Sequence, residues 1–396
     1  MKKYSVSVDW FFQSIIIVLL LLTPIFNFME LTALFSGNYI SAKIVLTPIY
    51  IKIIKDVAML LIVAVGLVNV AQNKKIYTNK LYLILVLAIL LSALTSVIVS
   101  PNVTNILAGL RWSLPFLLVL FLFDSIDTKF QYRISTLLTR LLVFGFLLQV
   151  VQAFYFRAFY GLSSFTGLNA RNPGFYFTPS AMAAFTLAAA YYIDYFREDD
   201  VYKKILLFFV VPVSVLLTGS GTGLLVLCGY FIIKAYKRIH QKQLMIFLGV
   251  CLFLAGLVAL PIISGRAIIY ESILKRGEIF AQAFKNENMV LSQSFGSATN
   301  AAVLSDDRSD NAISFIADST ITSVMFNIGS FALVVFVLFF VSISRKKVMY
   351  LHFWLIYGAF IVTTIIFELF PLNLLLAVNL AYFIKIKKDL QIENSN

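Results

Sequence analysis

SGRAIIYESILKRGEIFAQAF, residues 264–284, opens a stretch that continues through FGSATN (295–300) and SDDRSD (305–310) to Asp318. These roughly 55 residues form the only long hydrophilic segment of the chain, against the few residues that most connections need. On both sides the sequence is apolar enough to lie in lipid. A polar insertion of this size between membrane spans points to function, since binding and catalytic groups concentrate on loops held by a rigid scaffold.

The flanking composition supports that frame. Of 396 residues, 60% are hydrophobic and 13% charged, with a mean hydropathy of +0.91. Soluble domains are nearer half apolar and a quarter charged, so the chain reads as an all-α polytopic membrane protein. The net charge of +13 is not read as a nucleic-acid surface, because the Lys and Arg residues lie mainly in short loops, where they set topology. Cys228 and Cys251 fall inside apolar runs and read as small core residues. No signal-peptide cleavage site follows Met1-Lys2-Lys3, so the first apolar run reads as a helix.

A span needs about 20 apolar residues. That criterion predicts twelve helices, at 10–29, 47–70, 80–99, 104–123, 133–156, 175–193, 203–218, 222–236, 243–263, 319–341, 349–368 and 370–386. The whole chain, 1–396, is then one integral membrane domain, with the loop 264–318 inserted between helices 9 and 10. Basic residues cluster on one side, among them Lys74, Lys75, Lys129, Arg133, Lys203, Lys204, Lys234, Arg238 and Lys347. The positive-inside rule makes that side cytoplasmic and puts both termini there.

Several residues are placed for chemistry. Arg111 lies inside an apolar span, where a guanidinium costs at least ~2.5 kcal/mol and needs a polar cavity or a partner. It reads either as a ligand for a lipid-linked phosphate or as a structural pair with Asp56 or Glu368. Arg171 precedes Asn172-Pro173-Gly174 and a helix, so amides, helix dipole and guanidinium converge on an anion site, unless the Arg merely reaches toward headgroups. In the loop, Ile269, Ile273, Phe280 and Phe284 recur at helical spacing. They predict an amphipathic helix at the interface, with Arg266 and Arg276 at headgroup height and attraction to anionic lipid as the competing use.

Asp306, Asp307, Arg308 and Asp310 read as a solvated run first and a sugar-binding cluster second. Asp318 abuts the next helix, either as an N-cap or as a general base at a cavity mouth. Thr218-Gly219-Ser220-Gly221 lacks the Lys-Ser/Thr of a phosphate loop and reads as a tight helix–helix turn. His240 and His352 both map to the cytoplasmic side, and HExxH, CxxC and GxSxG are all missing. Metalloprotease and serine hydrolase chemistry are therefore excluded, and no metal or other cofactor is expected.

These features together resemble the O-antigen polymerase and ligase superfamily of bacterial polysaccharide assembly. The likeness rests on Arg171-Asn172-Pro173-Gly174-Phe175 followed by Pro179-Ser180, on LLTGSGTGLLVL, on the loop itself, and on ADSTITSVMFNIGSFALVVF. It covers about residues 165–335, and Gly221 stands where the family commonly has Arg. The resemblance implies a glycosyltransferase that moves an undecaprenyl-pyrophosphate-linked glycan onto the next repeat unit, building O-antigen, capsule or exopolysaccharide. It implies membrane lipids, a chain-length regulator and a flippase as partners, and no nucleic acid. The ligase branch uses a His in the large loop, and Ala317-Asp318-Ser319 stands there instead, which favours the polymerase branch. On this reading Arg171, Arg266, Arg276 and the deeper Arg111 bind pyrophosphate and glycan, while Asp318 and Arg276 serve catalysis. A flippase of lipid-linked oligosaccharide, an O-antigen ligase and a transferase using a polyprenyl-phosphate sugar are the alternatives. The long Arg- and Asp-rich loop argues against the first, and the lone Glu30 in the first outer loop argues against the last.

Overall fold

The fold is taken from a computed structural model that describes residues 2–35, 47–73, 80–99, 101–160, 172–176, 178–236, 278, 290–297, 299, 319–343 and 348–393. Among these residues every regular element is a helix, with no strand. Such a sequence has little choice in lipid, where each backbone N–H and C=O must find its partner inside its own segment.

The helices are α1 (Lys2–Leu21), α2 (Phe28–Phe35), α3 (Ile49–Asn73), α4 (Lys80–Val99), α5 (Val103–Leu122), α6 (Thr128–Tyr160) and α7 (Pro179–Phe196). They continue with α8 (Val201–Ile205), α9 (Val211–Thr218), α10 (Gly221–Tyr236), α11 (Thr320–Ile328), α12 (Ser330–Ile343), α13 (Val348–Thr363) and α14 (Leu372–Glu393). Among the described residues, five helical segments are long and apolar enough to cross a membrane: Tyr50–Gln72, Lys80–Val99, Val103–Leu122, Thr128–Tyr155 and Val201–Thr218. A sixth is formed if Val8–Leu21 and Thr23–Ala33, bent by 43°, count as one span. Shorter apolar helices at Gly221–Ala235, Ser330–Ile343, Met349–Thr363 and Leu372–Ile386 complete the bundle. The protein is thus a helical membrane protein.

Three of the predicted spans are interrupted internally, and a fourth, 349–368, ends its α-helix at Thr363 ahead of a 3-10 turn, Ile366–Glu368. The first, 10–29, breaks at a 3-10 turn, Thr23–Asn27, because Pro24 at its start cannot continue the α-helical ladder. The segment 203–218 carries a π turn at Leu206–Val210 just before Pro212, a wide turn suited to a residue that has no N–H to give. The third, 319–341, is two helices, not one. They are divided at Gly329, whose φ of 108° is open only to glycine. The helix predicted at 175–193 also begins later, at Pro179, after a turn over Pro173–Tyr176. The predicted helix 243–263 lies outside the described residues, as does the amphipathic helix 269–284 apart from Glu278.

α7 is the axis of the bundle. Every residue from Ala181 to Ile193 is buried, and Ala181, Ala183, Ala184, Ala188, Ala189 and Ala190 let α6, α9, α10 and α13 approach closely. A Cβ on Gly223 of α10 would stand 2.8 Å from the Ala183 Cβ, which shows how near α10 and α7 come. The expected Gly-rich turn is a helix–helix turn. Gly219 caps α9 in the left-handed region, the Ser220 N–H donates to Thr218 Oγ1 (3.2 Å), and the Gly223 N–H donates to Ser220 Oγ (3.2 Å).

Candidate functional site

Two arrangements share α5. The first is ionic. On α3, Lys52, Lys55 and Asp56 are spaced i, i+3, i+4 and share a face. Lys52 Nζ lies 2.7 Å from Glu30 Oε1 on α2, and the buried Glu30 also accepts the Thr47 N–H (3.2 Å) and the Thr47 hydroxyl. Asp56 Oδ2 takes Arg111 Nε of α5 at 2.9 Å, with the Arg111 side chain still 42% exposed. The pairing with Asp56 raised by the sequence is therefore formed.

Lys55 stands at the centre of this group. Its ammonium sits over the rings of Phe26 (5.7 Å) and Phe370 (5.5 Å), while Lys52, Asp56, Arg111 and Glu368 act on its charge. Each such contact between a cation and an aromatic face contributes about 0.5–2 kcal/mol. Sequence reasoning passed over Lys55. The signal available was its spacing with Lys52 and Asp56 inside an apolar span, which put three charges on one helix face.

The second arrangement is a docked piece of the large loop. In the described part of 264–318, Ser292, Phe295 and Thr299 are buried against the helices. The Phe295 N–H donates to Ser96 Oγ of α4 (2.7 Å), and Thr95 Oγ1 donates to the Ser292 carbonyl (2.9 Å). On α5, a Cβ at Gly109 would lie 2.5 Å from the Phe295 ring. One at Gly296 would lie 1.8 Å from the Asn105 carbonyl oxygen. Gly296 also has φ +83°, so only glycine suits the contact. The segment then bridges the α11–α12 break, where the Ser292 N–H donates to Ile328 O (3.1 Å) and the Phe331 N–H to Val290 O (3.3 Å). The Phe295 N–H thus finds its partner on α4, while the Ser297 N–H turns back to Ser294 O and the Thr299 N–H and hydroxyl to Gly296 O within the segment.

The loop's return is fixed beside the same site. Thr320, two residues after Asp318, donates its N–H (3.0 Å) and hydroxyl (2.6 Å) to the Thr364 carbonyl, and its Oγ1 accepts the Ile366 N–H (2.9 Å). Ile366 begins the turn that carries Glu368 and Phe370 to Lys55. The docked segment, for its part, meets α5 at Gly109, two residues before Arg111. The Asn172–Gly174 turn after Arg171 is likewise clamped. Gln152 donates to Gly174 O (2.8 Å) and accepts its N–H (2.9 Å), Gln149 donates to Asn172 O (3.0 Å), and the Asn172 N–H reaches Leu217 O (3.0 Å).

Of the sequence-derived candidates, only Arg111 falls among the described residues. Arg171, Arg266, Arg276, Asp318 and the run at 306–310 lie outside them. His352 belongs to a different network. On α13, 1% exposed, its Nδ1 faces the Tyr195 hydroxyl (2.6 Å) and its Nε2 the Tyr230 carbonyl (3.1 Å). Asp194 beside it takes the Tyr230 hydroxyl (2.5 Å) and Lys234 Nζ (2.7 Å). Because the carbonyl can only accept, Nε2 carries the proton and Nδ1 accepts from Tyr195. Comparisons with known protein families, curated proteins and solved structures find no match.

Proposed function

We propose that this protein is a polysaccharide polymerase that uses an undecaprenyl-pyrophosphate-linked donor. The observation that supports this best is Lys55, a cation held among aromatic rings beside the Asp56–Arg111 pair. The described attachments of the large loop are to α5, the helix that carries Arg111, and to the Thr364–Ile366 backbone ahead of Phe370. Cations of this kind stabilise a departing pyrophosphate, and a site shielded from water strengthens their effect.

In the proposed step the bond between the donor sugar's C1 and the pyrophosphate oxygen breaks. A new C1–O bond forms to a hydroxyl of the acceptor repeat unit, and undecaprenyl pyrophosphate leaves with the electron pair. The acceptor's proton passes to a carboxylate, for which Asp318 is the proposed base. Arg171, Arg266 and Arg276 are the further ligands proposed for pyrophosphate and glycan, with Arg276 also aiding departure of the leaving group. The same reading carries twelve spans, both termini in the cytoplasm of a bacterial inner membrane, and a chain-length regulator and flippase as partners. It needs no cofactor, since the donor is already activated.

The test is the purified protein in liposomes with a lipid-linked repeat unit from its own host, followed by gel analysis of glycan size. A ladder of longer lipid-linked chains is expected. Movement of substrate between leaflets at constant length would replace this reading with a flippase, and transfer to lipid A core would replace it with a ligase.

A further inference from the structure

A cleft of about 240 Å³ opens between α1 and α6, with Trp10, Ser14, Ile17 and Val18 on one side and Phe130 and Arg133 on the other. The α1 positions are spaced at 10, 14, 17 and 18 and so share a helix face. Phe130 is 1% exposed and, with the half-buried Ile17, supplies an apolar wall, while Trp10 is 67% exposed and Arg133 is open. α6 has 33 residues, about 50 Å at 1.5 Å per residue, against ~30 Å of hydrocarbon. Its first turns, TKFQYR, are polar and its later ones apolar, so the polar end is the one that emerges among the headgroups. Arg133 lies there, and helical side chains lean toward the helix N-terminus, which carries its guanidinium further toward the phosphate layer.

The nearby carboxylates are engaged elsewhere. Asp127 accepts the Phe130 N–H at 2.7 Å, and Asp9 accepts the Ser125 hydroxyl. Gln13, also at the cleft, donates to the Ser125 carbonyl (2.7 Å). Among the described residues Arg133 has no carboxylate partner. An unpaired guanidinium above an apolar wall, beside an interfacial Trp, matches a molecule with an anionic head and a hydrocarbon tail.

We infer that the α1–α6 cleft binds one anionic phospholipid, with its phosphate on Arg133 and an acyl chain along Ile17, Val18 and Phe130. This site is separate from the Lys55 cluster and does not depend on the polymerase reading. The test is native mass spectrometry of the full-length protein, titrated with phosphatidylglycerol or with phosphatidylcholine of the same chains. Phosphatidylglycerol should bind at about tenfold lower concentration, a difference of about 1.4 kcal/mol. Arg133→Ala should abolish that preference, whereas Arg140→Ala, seven residues along the same helix and exposed, should keep it. Val18→Trp, which fills the cleft without touching charge, should also abolish it, and serves as the deciding variant if Arg133→Ala fails to fold. Equal binding of the two lipids would overturn the inference, as would equal losses in Arg133→Ala and Arg140→Ala or retained preference in Val18→Trp. Displacement by glycerol 3-phosphate as effective as by the lipid would also overturn it, because the acyl chain would then contribute nothing.

Discussion

Lys55 and Arg111 solve the same problem in two ways. Arg111 is compensated by Asp56, one carboxylate at 2.9 Å, whereas Lys55 relies on two ring faces and more distant charges. A charge without its own carboxylate is the better ligand for an incoming anion, because nothing must be displaced. Lys55→Ala is therefore expected to lower polymer synthesis by about 10²-fold, in the range found when one donor to a developing anion is lost. Lys55→Arg should recover part of it, as the liposome ladder would show. Arg111 and Asp56 should couple structurally. A double-mutant cycle of Asp56→Asn and Arg111→Gln, read by thermal unfolding in detergent, should give a coupling of about 1–2 kcal/mol. A coupling near zero would mean that the half-exposed pair is screened.

At the scale of elements, the bundle receives its loop through glycines. Gly109 faces the ring of Phe295, which can shift, while Gly296 faces backbone at Asn105 and has a positive φ. Gly296→Ala should therefore release the 290–299 segment and raise its rate of proteolysis, and Gly109→Ala should do so less. Comparable protection of both variants would show that the contact is plastic. Helix starts carry a different kind of specification. Asp200 caps α8 by accepting the Lys203 N–H (2.6 Å), and that bond holds its carboxyl below the usual carboxylate range. A carboxyl with a depressed folded-state pKa stabilises above its unfolded value of about 3.9 and loses that contribution as pH falls through the folded value. Asp200→Ala should thus lower the Tm at pH 7 more than at pH 3, while Asp200→Asn, which also caps, should change it little.

For the whole molecule, the charge distribution predicts that reporters at both termini label from the cytoplasm and one at Ser305 labels from outside. Labelling of Ser305 from the cytoplasm would invert the topology and remove the proposed site from the outer face. Much of the architecture was legible without coordinates. The helices at 80–99, 103–122 and 221–236 fall at or within a residue of their predicted limits, because bounded apolar runs in lipid have no other way to satisfy their backbone. The tight turn at Gly219 was equally legible from its residues.

The site was legible only in part. Arg111 announced itself by its cost in an apolar span, and Asp56 was one of its two candidate partners. Choosing between Asp56 and Glu368 needed the distance between α3 and α5. Lys55 could not be found by composition, since Phe26 and Phe370 lie 29 residues before it and 315 after it in the chain, and only packing brings their rings to its ammonium. The docking of FGSAT was hidden for a similar reason. A small polar stretch looks the same whether it meets water or the hydroxyls of Thr95 and Ser96, and the break at Gly329 becomes intelligible only once Val290–Ser292 occupies it. The sequence by itself determined a helical membrane protein, the order of its apolar segments and the residues that must be compensated, because those follow from local solvation. Which charge pairs, which stands open and where the loop is held were decided by tertiary structure, because those are contacts between segments far apart in the chain.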